Sequence, residues 1–240
     1  MVVINYEDKL FLYKKINNVN IVTSLADCDF PMHPQLASYY WNLHFIKKHF
    51  NLSTICTLSQ THSDIVHVCT EDFLSGIEGD GLVTNLKSTA LGVFTADCVP
   101  IFIFDTEKNV VSAVHSGWQG TYKEIVNKSI DLFIKEYKSN IENIQVYIGP
   151  HNMKCCYEIG DDLKDKFLNH ETFKNNPNIF HGNNLNMVKC IKMSLNTKGV
   201  LNNNIHIMNY CTYCSTDPKF YSYRRNKESL NRIFSFIFID

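Results

Sequence analysis

Cys98 and His115 are the residues whose types and spacing point most directly to chemistry. They lie in the motifs Thr95-Ala96-Asp97-Cys98 and His115-Ser116-Gly117-Trp118, separated by two apolar β-rich runs at 101–104 and 110–114. The polar linker 105–109 reads as the turn of a β-hairpin. Pairing Phe104 with Asn109 sets Cys98 opposite His115, where Cα atoms of an antiparallel pair stand about 4.5–5.5 Å apart. A slip of one residue would send the two side chains to opposite faces. A thiol beside an imidazole admits three readings. It can be a packed cysteine near a structural histidine, a nucleophile with its base, or part of a metal site that needs at least one more ligand.

His62 is the best candidate for that ligand, because it sits in a polar Gln60-Thr61-His62-Ser63-Asp64 turn where packing gives no reason for a histidine. With 35 residues between His62 and Cys98 and 16 between Cys98 and His115, the set is no local finger motif. Two cysteine pairs stand apart from it. Cys211 and Cys214 form CxxC, half of a zinc ribbon or a redox pair, but a second CxxC is absent and the adjacent Cys155-Cys156 lacks knuckle spacing. Structural or packing roles are therefore expected for these four. Arg224-Arg225, after an aromatic run, offers a fork for a carboxylate or phosphate.

The elements that must position these groups read as mixed α/β. An opening β-meander (10–13 and 19–23) leads through a loop at 26–34 to a helix whose apolar face is Leu36, Tyr39, Tyr40, Leu43 and Ile46. Strands flank the 60–64 turn, and 89–95 is a strand before the hairpin. Thr121 opens a helix with Glu124 in a capping box, and apolar residues at 122, 125, 126, 130, 133 and 137 form its buried face. The glycine-containing turn through Gly120 into that helix is a seat for an anion. A strand at 144–148, a helix carrying Ile159, Leu163 and Phe167, a polar and flexible insertion at 169–184, and a helix at 185–196 stopping at Gly199 follow. Strands at 205–209 and 233–239 close the chain.

The 240 residues carry 20% charged and 45% hydrophobic residues with a formal net charge of −1, ordinary for a globular protein and unlike a general nucleic-acid or membrane-surface binder. The N-terminus has no signal-peptide pattern and no apolar run approaches a membrane span. Nine cysteines without an export signal suit reduced thiols in a cytoplasm. A single domain is the economical expectation.

Six blocks in order carry a resemblance: QTHSDIVHV (60–68), GDGLVTN (79–85), TADCVPIFIFD (95–105), AVHSGWQGT (113–121), IGPHNMKCCYEIG (148–160) and CTYCSTDPKFYSYRR (211–225), spanning about two thirds of the chain. Together they resemble the YfiH-type family, long labelled laccase-domain or polyphenol oxidase proteins and read more recently as zinc-dependent purine nucleoside phosphorylases. The resemblance implies a single domain over 1–240 of mixed β-sheets flanked by helices, a layered sandwich of the α+β or mixed α/β class. It also implies a metal held by His62, Cys98 and His115, with zinc expected and copper as the older alternative. Two departures stand out: Gln119 replaces an arginine of the family's GWRGT, and residues 23–29 replace an N-terminal block of an arginine, a glycine pair and a serine.

The implied reaction is phosphorolysis of adenosine, inosine or 5′-methylthioadenosine to base and ribose 1-phosphate, with adenosine deamination beside it. The purine nucleoside and phosphate are then the partners. Cys98 and His115 count among the catalytic groups, Asp97 and Glu158 are candidates to move protons, and Asp80 to contact substrate. The helix start at Gly120 and Thr121, with Arg224 and Arg225, is expected to hold phosphate. Three other readings stand beside this one: a Cys98/His115 hydrolase editing peptidoglycan precursors, a copper-dependent phenol oxidase (which needs many more clustered histidines), and a non-enzymatic structural zinc module.

Overall fold

In a computed structural model of the chain, all residues are described except Asp29 and Asn175, and nothing is said of the side chain of Cys28. Asp29, in the expected 26–34 loop, and Asn175, in the expected insertion, thus lie outside the described residues. The elements run β1 (Val2–Tyr6), β2 (Lys9–Ile16), β3 (Val19–Ser24), α1 (Tyr39–His49), β4 (Thr54–Cys56), β5 (Val66–Val68), β6 (Gly81–Thr84), β7 (Thr89–Thr95), β8 (Val99–Asp105) and β9 (Val110–Ser116). They continue through α2 (Trp118–Tyr122), α3 (Ile125–Lys135), β10 (Gln145–Ile148), α4 (Asp161–Leu168), β11 (Phe180–His181), β12 (Asn184–Leu185), α5 (Met187–Thr197), β13 (Ile205–Ile207) and β14 (Ile233–Ile239).

The strands form two six-stranded sheets, ordered β1-β2-β3-β14-β7-β4 and β13-β10-β8-β9-β6-β5, and a separate two-stranded ribbon of β11 and β12. Their central strands are buried on both faces, so each reads as a near-continuous apolar run and residue parity assigns its sides. Leu91, Val93, Ile237 and Ile239 of the first sheet meet Leu82, Phe102, Phe104, Val111 and Ala113 of the second in one cluster between the sheets. The opposite parity of the second sheet, Ile101, Ile103 and Val114, packs on Ile125, Ile130 and Phe133 of α3 and on Ile191 and Leu195 of α5. An aromatic cluster with Phe11, Phe45, Phe50, Phe234 and Phe236 covers the outer face of the first sheet. The result is a single domain of mixed sheets between helical layers, the layered sandwich expected.

Several local expectations are corrected. The hairpin pairs Phe104 with Val111 and Pro100 with His115, two residues from the expected register. Asp105 stays in the ladder opposite Val110 while its Oδ1 accepts the N–H groups of Glu107 and Lys108. Asn109 takes a left-handed φ of 50°, which ends its use as a strand residue. Because the offset is even, Cys98 and His115 keep one face, as diagonal neighbours rather than as a direct pair.

The helix expected to open at Thr121 starts instead at Trp118 with Gly117 as its N-cap, then breaks. Glu124 sits at φ 54° and caps α3, and no capping box forms because its carboxylate accepts from Ser194 Oγ at 3.0 Å. The expected flexible insertion at 169–184 is anchored: Phe173 and Ile179 are fully buried in the core beside α5. On α1 the buried face is Tyr39, Asn42, Phe45 and Ile46, while Tyr40 is 78% exposed.

Candidate metal centre and its cavity

The loop 57–65 crosses the open end of the layer between the sheets, where β8 and β9 deliver Cys98 and His115. One donor atom from each of His62, Cys98 and His115 lies within 4.8 Å of the others. Cys98 Sγ stands 3.7 Å from His62 Nε2, and the two imidazoles cross at 75° with centroids 4.9 Å apart. His115 Nδ1 is taken by Asp80 Oδ1 at 2.7 Å, leaving Nε2 as its remaining donor. Gly117, opposite Cys98 by continuation of the ladder, makes room for this packing: a Cβ there would stand 2.7 Å from His62 Cδ2 and 3.1 Å from Cys98 Sγ.

Two imidazoles and a thiol at this spacing fit a borderline-soft metal ion with three protein ligands. The electrostatics favour the charged forms of the pair. Burial pushes the Cys98 thiol up, but the charges and hydrogen bonds of His115 and His62 outweigh it and bring it to about 6. Burial alone would lower His115, yet Cys98 and Asp80 raise it to about 9. For Asp80 burial acts upward, but hydrogen bonds from His115 and Ser63 hold it below the usual carboxylate range.

The centre opens on a cleft of about 640 Å³ lined by, among others, His33, Gln60, His62, Phe94, Cys98, His115, Tyr223 and Arg232. Gln60 closes a two-way bond with Phe94: its Nε2 donates to the carbonyl and its Oε1 accepts the N–H, each at 2.7 Å. That fixes the loop carrying His62 to the end of β7. Arg232 is the cation on this wall. Burial lowers it, while the negative charge of Cys98 and Asp97 acts to raise it. His33 opposite is lowered by burial and by Arg232.

Several expected site residues stand elsewhere. Asp80 is fully buried and its carboxylate accepts the N–H groups of Thr61, His62 and Ser63, the Ser63 hydroxyl and the His115 ring, so it cannot face substrate. Both oxygens of Asp97 are held, Oδ1 by the Thr212 hydroxyl and Oδ2 by the Arg224 N–H, each at 2.7 Å. Glu158 is exposed and outside the cleft lining. Gly120 and Thr121 are buried inside α2, with the Thr121 hydroxyl 2.8 Å from Ser116 Oγ.

The guanidinium of Arg224 donates to the carbonyls of Cys156 and Glu158. That of Arg225 donates to those of Thr212, Tyr213 and Phe220. Neither arginine lines the cleft. Sequence reasoning missed Arg232 and His33. Phe94 was missed as well, although its place directly before Thr95-Ala96-Asp97-Cys98 could have marked it, whereas Arg232 follows Ser229-Leu230-Asn231 with no motif around it.

Among known proteins, the chain is 43% identical over 196 residues to a purine nucleoside phosphorylase of Clostridium acetobutylicum, covering 82% of this chain and 81% of the relative. It is 33% identical over 180 residues to a purine nucleoside phosphorylase of Borreliella burgdorferi, 72% of this chain and 74% of the relative. An adenosine deaminase from an unknown prokaryote is 35% identical over 117 residues, 45% of this chain and 44% of that one. The crystal structure of Bacillus licheniformis YfiH superposes with a TM-score of 0.87 over 98% of both chains at 22% identity, which shows the shared fold. Residues 36–240 match the family model described as multi-copper polyphenol oxidoreductase laccase, and the chain belongs to that family, with the YfiH and YlmD proteins as its structural neighbours.

Proposed function

We propose that the chain, over its full span of 1–240, is a metal-dependent purine nucleoside phosphorylase of the cytoplasm, with zinc held by His62, Cys98 and His115. The observation that carries this reading is the meeting of those three donors in a cleft that is also lined by Phe94, Tyr223 and the half-buried cation Arg232. The relatives' names as purine nucleoside phosphorylases support the substrate class. Zinc with three protein ligands would supply Lewis-acid polarisation of a substrate atom at its remaining position.

The chain's own residues do the rest. Phe94 and Tyr223 line the cleft and give it aromatic surface for a purine. Arg232 is placed to fork onto phosphate and to hold its charge near the ribose carbon where positive charge develops as the glycosidic bond breaks. His33, whose Nδ1 accepts the Gln35 N–H, has its Nε2 left to donate one further hydrogen bond to that anion. Asp80 orients His115, and Asp97, clamped by Thr212 and Arg224, sets the backbone before Cys98. The roles first assigned to Arg224, Arg225, Gly120 and Thr121 in phosphate binding pass to Arg232. Asp97, Asp80 and Glu158 are not used as groups that touch substrate.

Adenosine deamination is a second reaction of the same cleft, in keeping with the deaminase relative. A multi-copper oxidase needs several histidine-rich clusters, whereas among the described residues only one candidate metal group contains histidine. The test is a product assay with adenosine, with and without phosphate, run beside Cys98→Ala. Phosphate-dependent adenine, lost in the variant, is the expected result. Inosine alone would leave a deaminase, and no turnover would overturn the reading in favour of the Cys98/His115 hydrolase.

A further inference from the structure

Four cysteines that the cleft does not use converge at one point beside it. Cys155 and Cys156 lie in the turn that follows β10, and Cys211 and Cys214 in the turn that follows β13. These strands are parallel neighbours, and an isolated bridge between His151 and Cys211 carries the pairing past their ends. All four sulfurs lie within 4.8 Å of one another, and Cys155 Sγ is 3.8 Å from Cys214 Sγ. Zinc–sulfur bonds of about 2.3 Å in a tetrahedron put sulfurs about 3.8 Å apart. A disulfide would instead join one pair at about 2.05 Å and leave the other two without a role.

Backbone donors converge on Cys211, the buried sulfur of the four. Met153 N–H donates to Cys211 Sγ at 3.5 Å, and the backbone N–H groups of Cys214 and Tyr213 act on the same sulfur in the same sense. The Cys211 thiol donates to Asn152 Oδ1 at 3.9 Å, and the side-chain nitrogen of Asn152, a residue only 1% exposed, has no partner. The guanidinium groups of Arg224 and Arg225 close on the carbonyls of Cys156, Thr212 and Tyr213, bringing two cations to a group whose zinc complex carries two negative charges.

We propose that Cys155, Cys156, Cys211 and Cys214 form a second metal centre, a closed tetrathiolate site for zinc. Four protein ligands leave no open position, so this centre is structural rather than catalytic. Each thiol gives up its proton on binding. The ion ties segment 151–158 to segment 211–215, and these segments hold the cleft: Thr212 donates to the Asp97 carboxylate and Asn152 N–H donates to the Asp97 carbonyl at 2.9 Å, one residue from Cys98. Adjacent cysteines lack knuckle spacing in sequence, and the parallel pairing of β10 and β13 supplies what the spacing does not.

The test is elemental analysis of protein purified without chelator, together with a variant carrying Cys98→Ala and His115→Ala, which empties the cleft site. About two zinc equivalents in the native protein and about one in the variant are expected. Cobalt(II) added to the metal-stripped variant should then give the charge-transfer and d–d bands of a tetrahedral tetrathiolate. Adding Cys155→Ser and Cys214→Ser should abolish both. Because that quadruple variant can fail to fold, the cobalt spectrum of the double variant is decisive by itself. A folded double variant that binds no metal and whose four thiols alkylate as fast as free cysteine would overturn the proposal. So would a Cys155–Cys214 disulfide in peptide maps, or iron with sulfide in place of zinc. Loss of phosphorolysis alone would not touch it, since the two centres are read separately.

Discussion

Asp80 Oδ1 and His115 Nδ1 lie 2.7 Å apart, with Asp80 fully buried and His115 only 3% exposed. The same carboxylate accepts the N–H groups of Thr61, His62 and Ser63. One buried charge therefore sets the ring of His115 and the backbone that carries His62, so two of the three candidate metal donors are positioned by a residue that cannot itself reach a ligand.

Asp80→Asn tests this coupling. An amide of the same shape loses the charge that favours donation by His115 Nδ1–H and the loop N–H groups. Loss of such a partner is expected to weaken metal affinity by about 10–100-fold. Competition against a chromophoric chelator measures it, and an unchanged affinity would show that Asp80 matters only for folding.

Gly117→Ala tests the close approach behind the centre. The added Cβ would come 2.7 Å from His62 Cδ2, and with its backbone held by Asp80 the exposed His62 side chain must turn away. An alanine at an N-cap costs only about 1 kcal/mol relative to a good cap, so the fold should survive while the cleft metal is lost. Metal content and thermal denaturation measured together separate the two effects. Full occupancy of the cleft site in the variant would contradict the packing argument.

How far the site could be read from sequence depended on where each residue's job is defined. His62 was legible as a candidate ligand because it lies in a polar turn where packing offers no reason for a histidine, and Cys98 and His115 because hairpin spacing brings a thiol and an imidazole to one face. The hairpin register was read two residues out, because Asp105 serves the turn from inside the ladder and Asn109 adopts a left-handed conformation. Both are side-chain and dihedral effects invisible to alternation. The break between α2 and α3 escaped for a related reason: Glu124 is committed to Ser194, 70 residues away, not to Thr121. Phe173 and Ile179 were hidden by their polar neighbours, and Arg232 by the lack of a motif. The parallel pairing that unites four cysteines is a tertiary fact with no local signature.

Arg232→Gln and Arg224→Gln should part in their effects. Arg232 lines the cleft with its Nη1 donating to the carbonyls of Ser229 and Asn231, so losing the charge-assisted hydrogen bonds its other nitrogens would make to phosphate, worth about 1.5–3 kcal/mol, should raise the KM for phosphate about 10–100-fold. Deamination, which uses no phosphate, should change little. Arg224 holds the carbonyls of Cys156 and Glu158, so its loss should lower the melting temperature and leave the phosphate KM within about threefold. Phosphate-dependent kinetics on both variants decide between them, and the reverse pattern would return phosphate binding to Arg224.

His151 gives the fold a dependence on acid that can be isolated. It is 1% exposed, with Nδ1 2.9 Å from the Gly149 carbonyl. Burial lowers it from 6.5 to about 4, against the opposing pull of that carbonyl. A folded value below the unfolded one means that the unfolded chain binds the proton more readily between the two. The stability from a neutral His151 is therefore complete above about pH 6.5 and lost progressively as the pH falls toward 4. At pH 5 the loss amounts to about 2 kcal/mol. His151→Asn retains a donor near Gly149 but cannot titrate. Urea unfolding of both proteins at pH 7.5 and pH 5 should show the variant losing about 2 kcal/mol less than the native chain over that interval. Metal release on acidification is common to both proteins and cancels in the comparison, so equal losses would mean that His151 is protonated in the folded state.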